Sequence, residues 1–247
     1  MELVIFAAAF LSFFAGAPAH ALLLRCGLCA FFSARTTLAL SSIASLCGAS
    51  AFILRRQSWR AAAAGVAFPA ALLGFVGGTA SRAAVLMVCA RFTGSRYLLA
   101  IHAPWLVCLS LLALYPTSMR RGVRSKGALW TLLFLCSAAE GFFGAGGVVL
   151  YRIFAPHRRL RSEHVPASPA LIVVFFAQLG ALMLTHFSGA AQILPGTMLL
   201  ALISGTSLGA LSAKKQRGAF LVGLRFALLA YLVFSALSLM EQAFLSP

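Results

Sequence analysis

The segment Glu140-Gly141-Phe142-Phe143-Gly144-Ala145-Gly146-Gly147 places four glycines inside a long apolar stretch, Gly127–Phe154. A glycine in a helix interior costs about 1 kcal/mol relative to alanine, so a continuous helix is disfavoured here. The glycines permit a break, which leaves backbone N–H groups and the positive end of a helix dipole without partners in the helix. The sequence therefore predicts a helix that is broken within this segment.

The apolar stretch around this segment is one of eight in the chain, each near the ~20 residues that cross a bilayer as a helix. Of the 247 residues, 62% are hydrophobic and 10% are charged, whereas a soluble domain has about 25% charged residues. This composition excludes an ordinary cytosolic enzyme, a disordered tail and a secreted disulfide scaffold. We therefore predict an all-α integral membrane protein with about eight transmembrane helices. The candidate spans are Leu3–Leu24, Thr36–Leu54, Ala61–Ala80, Leu98–Thr117, Gly127–Phe154, Ser168–Phe187, Ala190–Ala213 and Ala219–Met240.

The formal charge of +16 comes from short basic clusters between these spans. Basic loop residues orient membrane helices, and they form no aromatic-interleaved patch that would indicate nucleic-acid binding. The loops on one side of the membrane carry more Lys and Arg residues than the loops on the other side, when Arg82, Arg91 and Arg96 are counted as one loop of the richer side. The richer side is predicted to be cytoplasmic, which places both termini outside. A positive vestibule would also attract an anionic solute.

A basic run at residues 120–126 divides the chain into two halves, 1–119 and 127–247, that resemble each other at an offset of about 130 residues. Ser12–Pro18 aligns with Gly141–Gly147, Thr36 with Ser168, and Gly74–Gly78 with Gly205–Gly209. We therefore predict two similar four-segment repeats whose first helix is broken, by Gly16 and Pro18 in the first repeat and by the glycine cluster in the second. Internal repeats are typical of secondary transporters.

Glu140 is an acidic residue well inside an apolar span, where an ionisable group costs ~2.5–3.5 kcal/mol and is a functional candidate by default. Three interpretations stay open. Burial favours the neutral carboxyl, so Glu140 is a candidate for carrying a coupling proton. Alternatively, it forms a structural salt bridge with Arg225 in the last span, or it lies near the membrane interface.

The polar and small residues of the other spans also have two interpretations. Broken helices in matching positions indicate a substrate site, but small residues also let membrane helices pack closely. Gln178 stands out because a buried amide needs several partners. For the hydroxyls, bonds to the carbonyls of their own helix are the simpler interpretation, and packing is the simpler interpretation for the paired glycines. The hydroxyl residues in question are Ser41, Ser42, Ser45, Thr185, Thr197, Ser204 and Thr206.

The sequence offers no constellation of residues that would place an enzymatic centre or a metal site in the membrane. HExxH and Walker-type loops are missing, the GxSxG match at Gly205–Gly209 lies inside an apolar span, and the five histidines do not cluster. We therefore predict no enzyme, no cofactor and no metal.

The stretch Ala139–Gly147 resembles the glycine-rich segment that opens each repeat of the TauE/SafE family of bacterial membrane transporters. Thr36, within Ala34–Leu38, is similar to the family's Ser or Thr at the start of the second helix. Ser204–Lys215 and Leu224–Leu229 resemble its later helices. The resemblance spans most of the chain and is stronger in the second half.

Membership would imply a permease in the bacterial inner membrane for small sulfur-containing or organic anions, such as sulfite, organosulfonates or carboxylates. Its partners would be the anion, the bilayer and coupling protons. The sequence leaves open whether the chain forms a homo-oligomer. We expect alternating access, with one repeat rocking against the other and Glu140 either carrying a coupling proton or pairing with Arg225. The alternative is a non-transporting scaffold or subunit of a membrane assembly. The predicted substrate-binding residues are Gly16, Pro18, Thr36, Gly141, Phe142, Gly144, Gly146, Gly147, Ser168, Gln178 and Arg225.

Overall fold

The computed structural model describes residues 2–14, 34–56, 64–91, 104, 105, 108, 126–144, 147, 150, 151, 167–188 and 195–212. Within this part the regular structure is helical throughout, which confirms the all-α prediction for it. The helices are α1 (Glu2–Phe14), α2 (Ala34–Arg56), α3 (Ala64–Arg91), α4 (Lys126–Phe143), α5 (Ala167–Phe187) and α6 (Gly196–Ser212). Among the described helices, two stretches are long and apolar enough to cross a membrane, Ala67–Val88 in α3 and Pro169–Phe187 in α5.

The predicted boundaries hold for some spans and fail for others. The second and sixth predicted spans agree with α2 and α5 to within two residues. The end predicted at Ala80 is wrong, because α3 continues to Arg91. Arg82 is therefore not a loop residue but lies inside a helix with its side chain 0% exposed, and it drops out of the loop-charge count. The predicted span Ala219–Met240 lies outside the described residues.

The described helices pack as two bundles of three, defined by their apolar cores, and α2 packs extensively against helices of both bundles. The first bundle, α1, α2 and α6, has a core that includes Phe13, Leu40 and Leu202. The second bundle, α3, α4 and α5, has a core that includes Leu133 and Val173. Each bundle therefore combines two helices from one half of the chain with one helix from the other half.

The two predicted halves are interlocked by this exchange. The repeat alignment pairs α1 with α4, α2 with α5, and α3 with α6. α1 packs against α6, and its counterpart α4 packs against α3. In both cases the first helix of one half therefore lies on the third helix of the other half. The repeat stays a prediction, and the reciprocal packing supports it.

The paired glycines make close helix contacts, which confirms the packing interpretation. A Cβ atom at Gly205 or Gly209 would lie 2.6 or 2.5 Å from the carbonyl oxygen of Phe6 or Phe10. In the second bundle, a Cβ atom at Gly74 would lie 2.8 Å from the carbonyl oxygen of Val173. Without side chains at these positions, the helix backbones approach each other directly.

The contact of α1 with α6 predicts a specific cross-link. A Cβ atom at Gly205 would lie 3.1 Å from the Cβ atom of Ala9 and 2.6 Å from the carbonyl oxygen of Phe6. To admit a cysteine, α1 and α6 must therefore separate slightly, which moves the two Cβ atoms toward the ~3.5–4.5 Å spacing of a disulfide. In a background without the native cysteines, the pair Ala9→Cys and Gly205→Cys should form an intramolecular disulfide under mild oxidation, detected by intact mass. The control pair Ala9→Cys and Gly196→Cys should not, because Gly196 lies at the start of α6, about two and a half turns away. Equal yields from the two pairs would contradict this packing.

Candidate functional site

The chain reverses direction directly after α4, inside the glycine segment. α4 ends at Phe143, and Gly144 has a φ of 72°, a left-handed conformation that closes helices and favours glycine. Helical conformation is found again at Gly147, which lies beside α4: its N–H group donates to Glu140 Oε2 at 3.1 Å. One turn earlier on α4, the Cys136 side chain is hydrogen-bonded to the backbone of Tyr151. The later residue thus lies beside the earlier turn of α4, as expected when the chain runs back along this helix. The predicted break is confirmed, but it is a reversal rather than a gap in one continuous crossing.

Glu140 is held by partners from two segments. Its side chain is 4% exposed. Besides the bond from Gly147, it accepts a hydrogen bond from Gln178 Nε2 at Oε1, 3.2 Å away, and the same Nε2 donates to the Glu140 backbone oxygen at 3.0 Å. The amide of Gln178 thus positions the carboxylate, as its need for several partners suggested. The predicted partner Arg225 lies outside the described residues.

This pair lies at the middle of the two candidate spans. Gln178 is the central residue of Pro169–Phe187, and Gly78 lies at the centre of Ala67–Val88. A Cβ atom at Gly141, the residue after Glu140, would lie 2.6 Å from the Gly78 carbonyl oxygen. Glu140 is therefore level with the middle of α3, and not near its end.

A second polar pair lies about one helical turn further along α3. Arg82 Nη2 donates to Ser42 Oγ at 2.9 Å, and both side chains are buried. Ser42 is close to the middle of α2, whose central residue is Ser45. The guanidinium therefore reaches from the second bundle to the first.

The two pairs are adjacent. Ser81, the residue before Arg82, contacts Gly141, the residue after Glu140. We call the four side chains from four helices, Ser42, Arg82, Glu140 and Gln178, the midpoint cluster. It brings one guanidinium, one carboxylate, one amide and one hydroxyl to the region where the two bundles meet.

The other predicted site residues fall in three groups. Phe142 packs with Leu38 and Val85 between the bundles, so it borders the midpoint cluster. Thr36 is buried in the first turn of α2. Ser168 lies ten residues before Gln178 on α5, which is about 15 Å along a helix. Gly16, Pro18, Gly146 and Arg225 lie outside the described residues.

Most buried hydroxyls near the cluster bond to their own helix, as the simpler interpretation predicted. Ser41 donates to Leu38 O, Thr185 to Ala181 O and Thr206 to Leu202 O, at 2.7–3.1 Å. The hydroxyls Thr37 Oγ1 and Ser45 Oγ differ, because they are buried and have no hydrogen-bond partner within the part of the chain that the structure describes. The same holds for the amide oxygen Gln178 Oε1.

Comparison of the chain with family models, with curated proteins and with solved structures gives no match. The arguments for function therefore come from the residues themselves.

The site combines groups that are chemically able to bind an anion with a group that can carry a proton. Arg82 and the α2 hydroxyls are hydrogen-bond donors, whereas Glu140 can exchange a proton. Sequence reasoning missed Arg82 because its charge suggested the end of a span. The signal was available, since Arg82 has apolar residues on both sides within Ala67–Val88.

Proposed function

We propose that this chain is a multi-pass membrane protein that transports small anions by alternating access. The single observation that carries the proposal is the position of the midpoint cluster, at or near the middle of both helices that are apolar enough to cross a membrane. Charged side chains at bilayer depth are costly, and proteins that keep them use them for substrate or ion pathways. Arg82 and Glu140 are two such groups at nearly one depth.

The backbone beside the cluster supports the same conclusion. Irregular backbone at membrane depth is tolerated only where it is buried in protein or lines a cavity. The reversal at Gly144 brings such backbone next to Glu140. Secondary transporters typically bind their substrates near the midplane, where helices are interrupted.

The two bundles are the natural moving parts of this transporter. Their cores are separate, and they meet where α2 packs along α5, through the Arg82–Ser42 bond and through the small cluster of Leu38, Val85 and Phe142. A rocking motion of one bundle against the other exposes the midpoint cluster to each side in turn. This replaces the predicted rocking of one repeat against the other, because the exchanged helices prevent the repeats from moving as separate bodies.

The charges assign roles within the mechanism. Arg82 attracts the anion, whereas the carboxylate of Glu140 repels it. Protonation of Glu140 removes this repulsion, so proton and anion enter together, and Gln178 keeps the carboxyl group in place. Membership of the TauE/SafE family, a sulfur-containing or carboxylate substrate and a bacterial inner membrane are part of the same proposal.

Uptake into vesicles tests this function. Vesicles containing the purified protein should accumulate sulfite, an organosulfonate or a small carboxylate when an inward proton gradient is imposed. Glu140→Gln should reduce this gradient-driven accumulation at least ~10-fold, which is the effect expected when one proton-transfer group is lost. Gly127→Ala, at an exposed position where a Cβ atom meets nothing within 4 Å, is the control and should transport normally.

Two outcomes would contradict the proposal. If the folded, inserted protein moves none of these anions under any gradient, the non-transporting scaffold becomes the better explanation. If Glu140→Gln transports with unchanged dependence on the proton gradient, Glu140 is not the coupling residue.

A further inference from the structure

Arg82 connects the two bundles through its side chain. It belongs to α3 in the second bundle, and its guanidinium donates to Ser42 on α2 in the first bundle. The side chain is 0% exposed and is the largest fully buried one among the described residues. An ionisable side chain buried inside an apolar helix is a functional candidate by default.

The face of α2 that meets Arg82 is defined by helical spacing. Leu38, Ser42, Ser45 and Ala49 follow at steps of four, three and four residues, so they share one face. All four are buried, and Leu38 packs against residues of the second bundle. The opposite side of α2, with Leu40, contributes to the core of the first bundle. Ser42 and Ser45 therefore both face the junction of the bundles.

Ser45, like Thr37, differs from most of the buried helix hydroxyls. A buried serine ordinarily donates to a carbonyl group of the preceding turn, and Ser50 on the same helix does so, to Leu46 O at 2.8 Å. Ser45 Oγ makes no hydrogen bond within the described residues, although its side chain is only 3% exposed. Burying an unsatisfied hydroxyl is unfavourable, so a donor directed at the junction indicates that something else accepts its proton.

We propose that Arg82, Ser42 and Ser45 form a binding site for a small oxyanion between the two bundles. The planar fork of a guanidinium matches two oxygen atoms of a carboxylate, a sulfonate or sulfite, and a hydroxyl donates to a further oxygen. A halide has a single atom and cannot use this geometry in full. The site deepens the proposed transport function by naming the substrate class and the residues that recognise it, and it is tested by binding alone.

Isothermal titration calorimetry of the purified full-length protein with sulfite, acetate and chloride tests the site. A non-ionic detergent excludes lipid phosphate as a competitor. Sulfite or acetate should bind, and chloride should bind at least ten-fold more weakly. Ser45→Ala should weaken oxyanion binding about ten-fold, equivalent to 1.4 kcal/mol. Ser50→Ala is the matched control on the same helix, because its hydroxyl is already used by Leu46, and it should bind like the unaltered protein.

Arg82 is tested by two substitutions. Arg82→Gln should abolish measurable binding, and Arg82→Lys should bind at least ten-fold more weakly than the unaltered protein, since a lysine keeps the charge but lacks the planar fork. Ser45→Ala keeps the test decisive if the Arg82 variants do not fold.

The outcomes separate this site from the transport function. The site is wrong if no oxyanion binds, if chloride binds as tightly as sulfite and acetate, or if Ser45→Ala and Ser50→Ala bind equally. If transport is observed while Ser45→Ala has no effect on binding, the proposed function stands and the site is wrong. If binding depends on Ser45 but no anion is transported, the site stands and the transport function is wrong.

Discussion

Replacing Gly78 with leucine is expected to lower the free energy of unfolding by about 3 kcal/mol or more, or roughly 6–12 °C in Tm. Three helices meet at this residue. Even a Cβ atom at Gly78 would overlap the backbone of Ala177 on α5, and the backbone of Gly141 on α4 lies against the other side. Because the obstacle is backbone rather than a flexible side chain, the helices must separate to admit a larger residue. Thermal unfolding of the purified protein measures the loss.

Gly127→Leu is the matched control for this substitution. Gly127 is also a helical glycine, but a Cβ atom there meets nothing within 4 Å. Leucine should therefore stabilise α4 by up to ~1 kcal/mol through its higher helix propensity. The two substitutions thus have opposite signs. Equal melting temperatures for the two variants would mean that α3 does not pack on α4 and α5 at Gly78.

The second large effect is expected at Gln178. Gln178→Leu should cost about 3 kcal/mol, because the buried Glu140 carboxylate loses its amide donor while it remains buried. The double variant with Glu140→Leu should lose less than the sum of the two single variants, with a coupling energy of about 1–3 kcal/mol. The N–H group of Gly147 loses its acceptor in both variants that lack Glu140, so this contribution cancels in the cycle.

Thr185→Val controls for the removal of a buried polar group from α5. Its hydroxyl donates to Ala181 O within the same helix, so the loss should be about 1 kcal/mol or less, and no coupling to Glu140 is expected. A double-mutant cycle with no coupling between Glu140 and Gln178 would show that the two side chains do not interact in the folded protein.

The interlocked bundles determine which parts of the chain would move in the proposed transport cycle. A protein whose repeats form separate bodies can move one repeat against the other. Here α6 belongs to the first bundle and α3 to the second, so each bundle contains parts of both halves of the chain. The midpoint cluster lies at the junction, where Arg82 of one bundle donates to Ser42 of the other. In the proposed cycle, an anion bound by Arg82 would therefore act directly on the contact between the two bundles.

Several features could be predicted because their cause is local. Four glycines within seven residues make a continuous helix unfavourable wherever the segment lies, and α4 does end next to Gly144. A carboxylate and an amide both need hydrogen-bond partners in apolar surroundings. Glu140 and Gln178 satisfy this need by bonding to each other. The paired glycines of α3 and α6 suited close packing through their size alone.

Other features depend on which distant segments meet, and no local pattern carries that information. The order of the apolar stretches is equally compatible with two separate repeats and with two bundles that exchange their third helices. By its charge alone, Arg82 is typical of a loop between membrane spans. Only the tertiary structure shows that it is buried and bonded to Ser42, forty residues earlier. The chain's composition and glycine pattern therefore specify helices, the break after α4 and the need for buried partners. Packing between distant helices selects the partners, because contact free energy depends on the whole arrangement and not on any single segment.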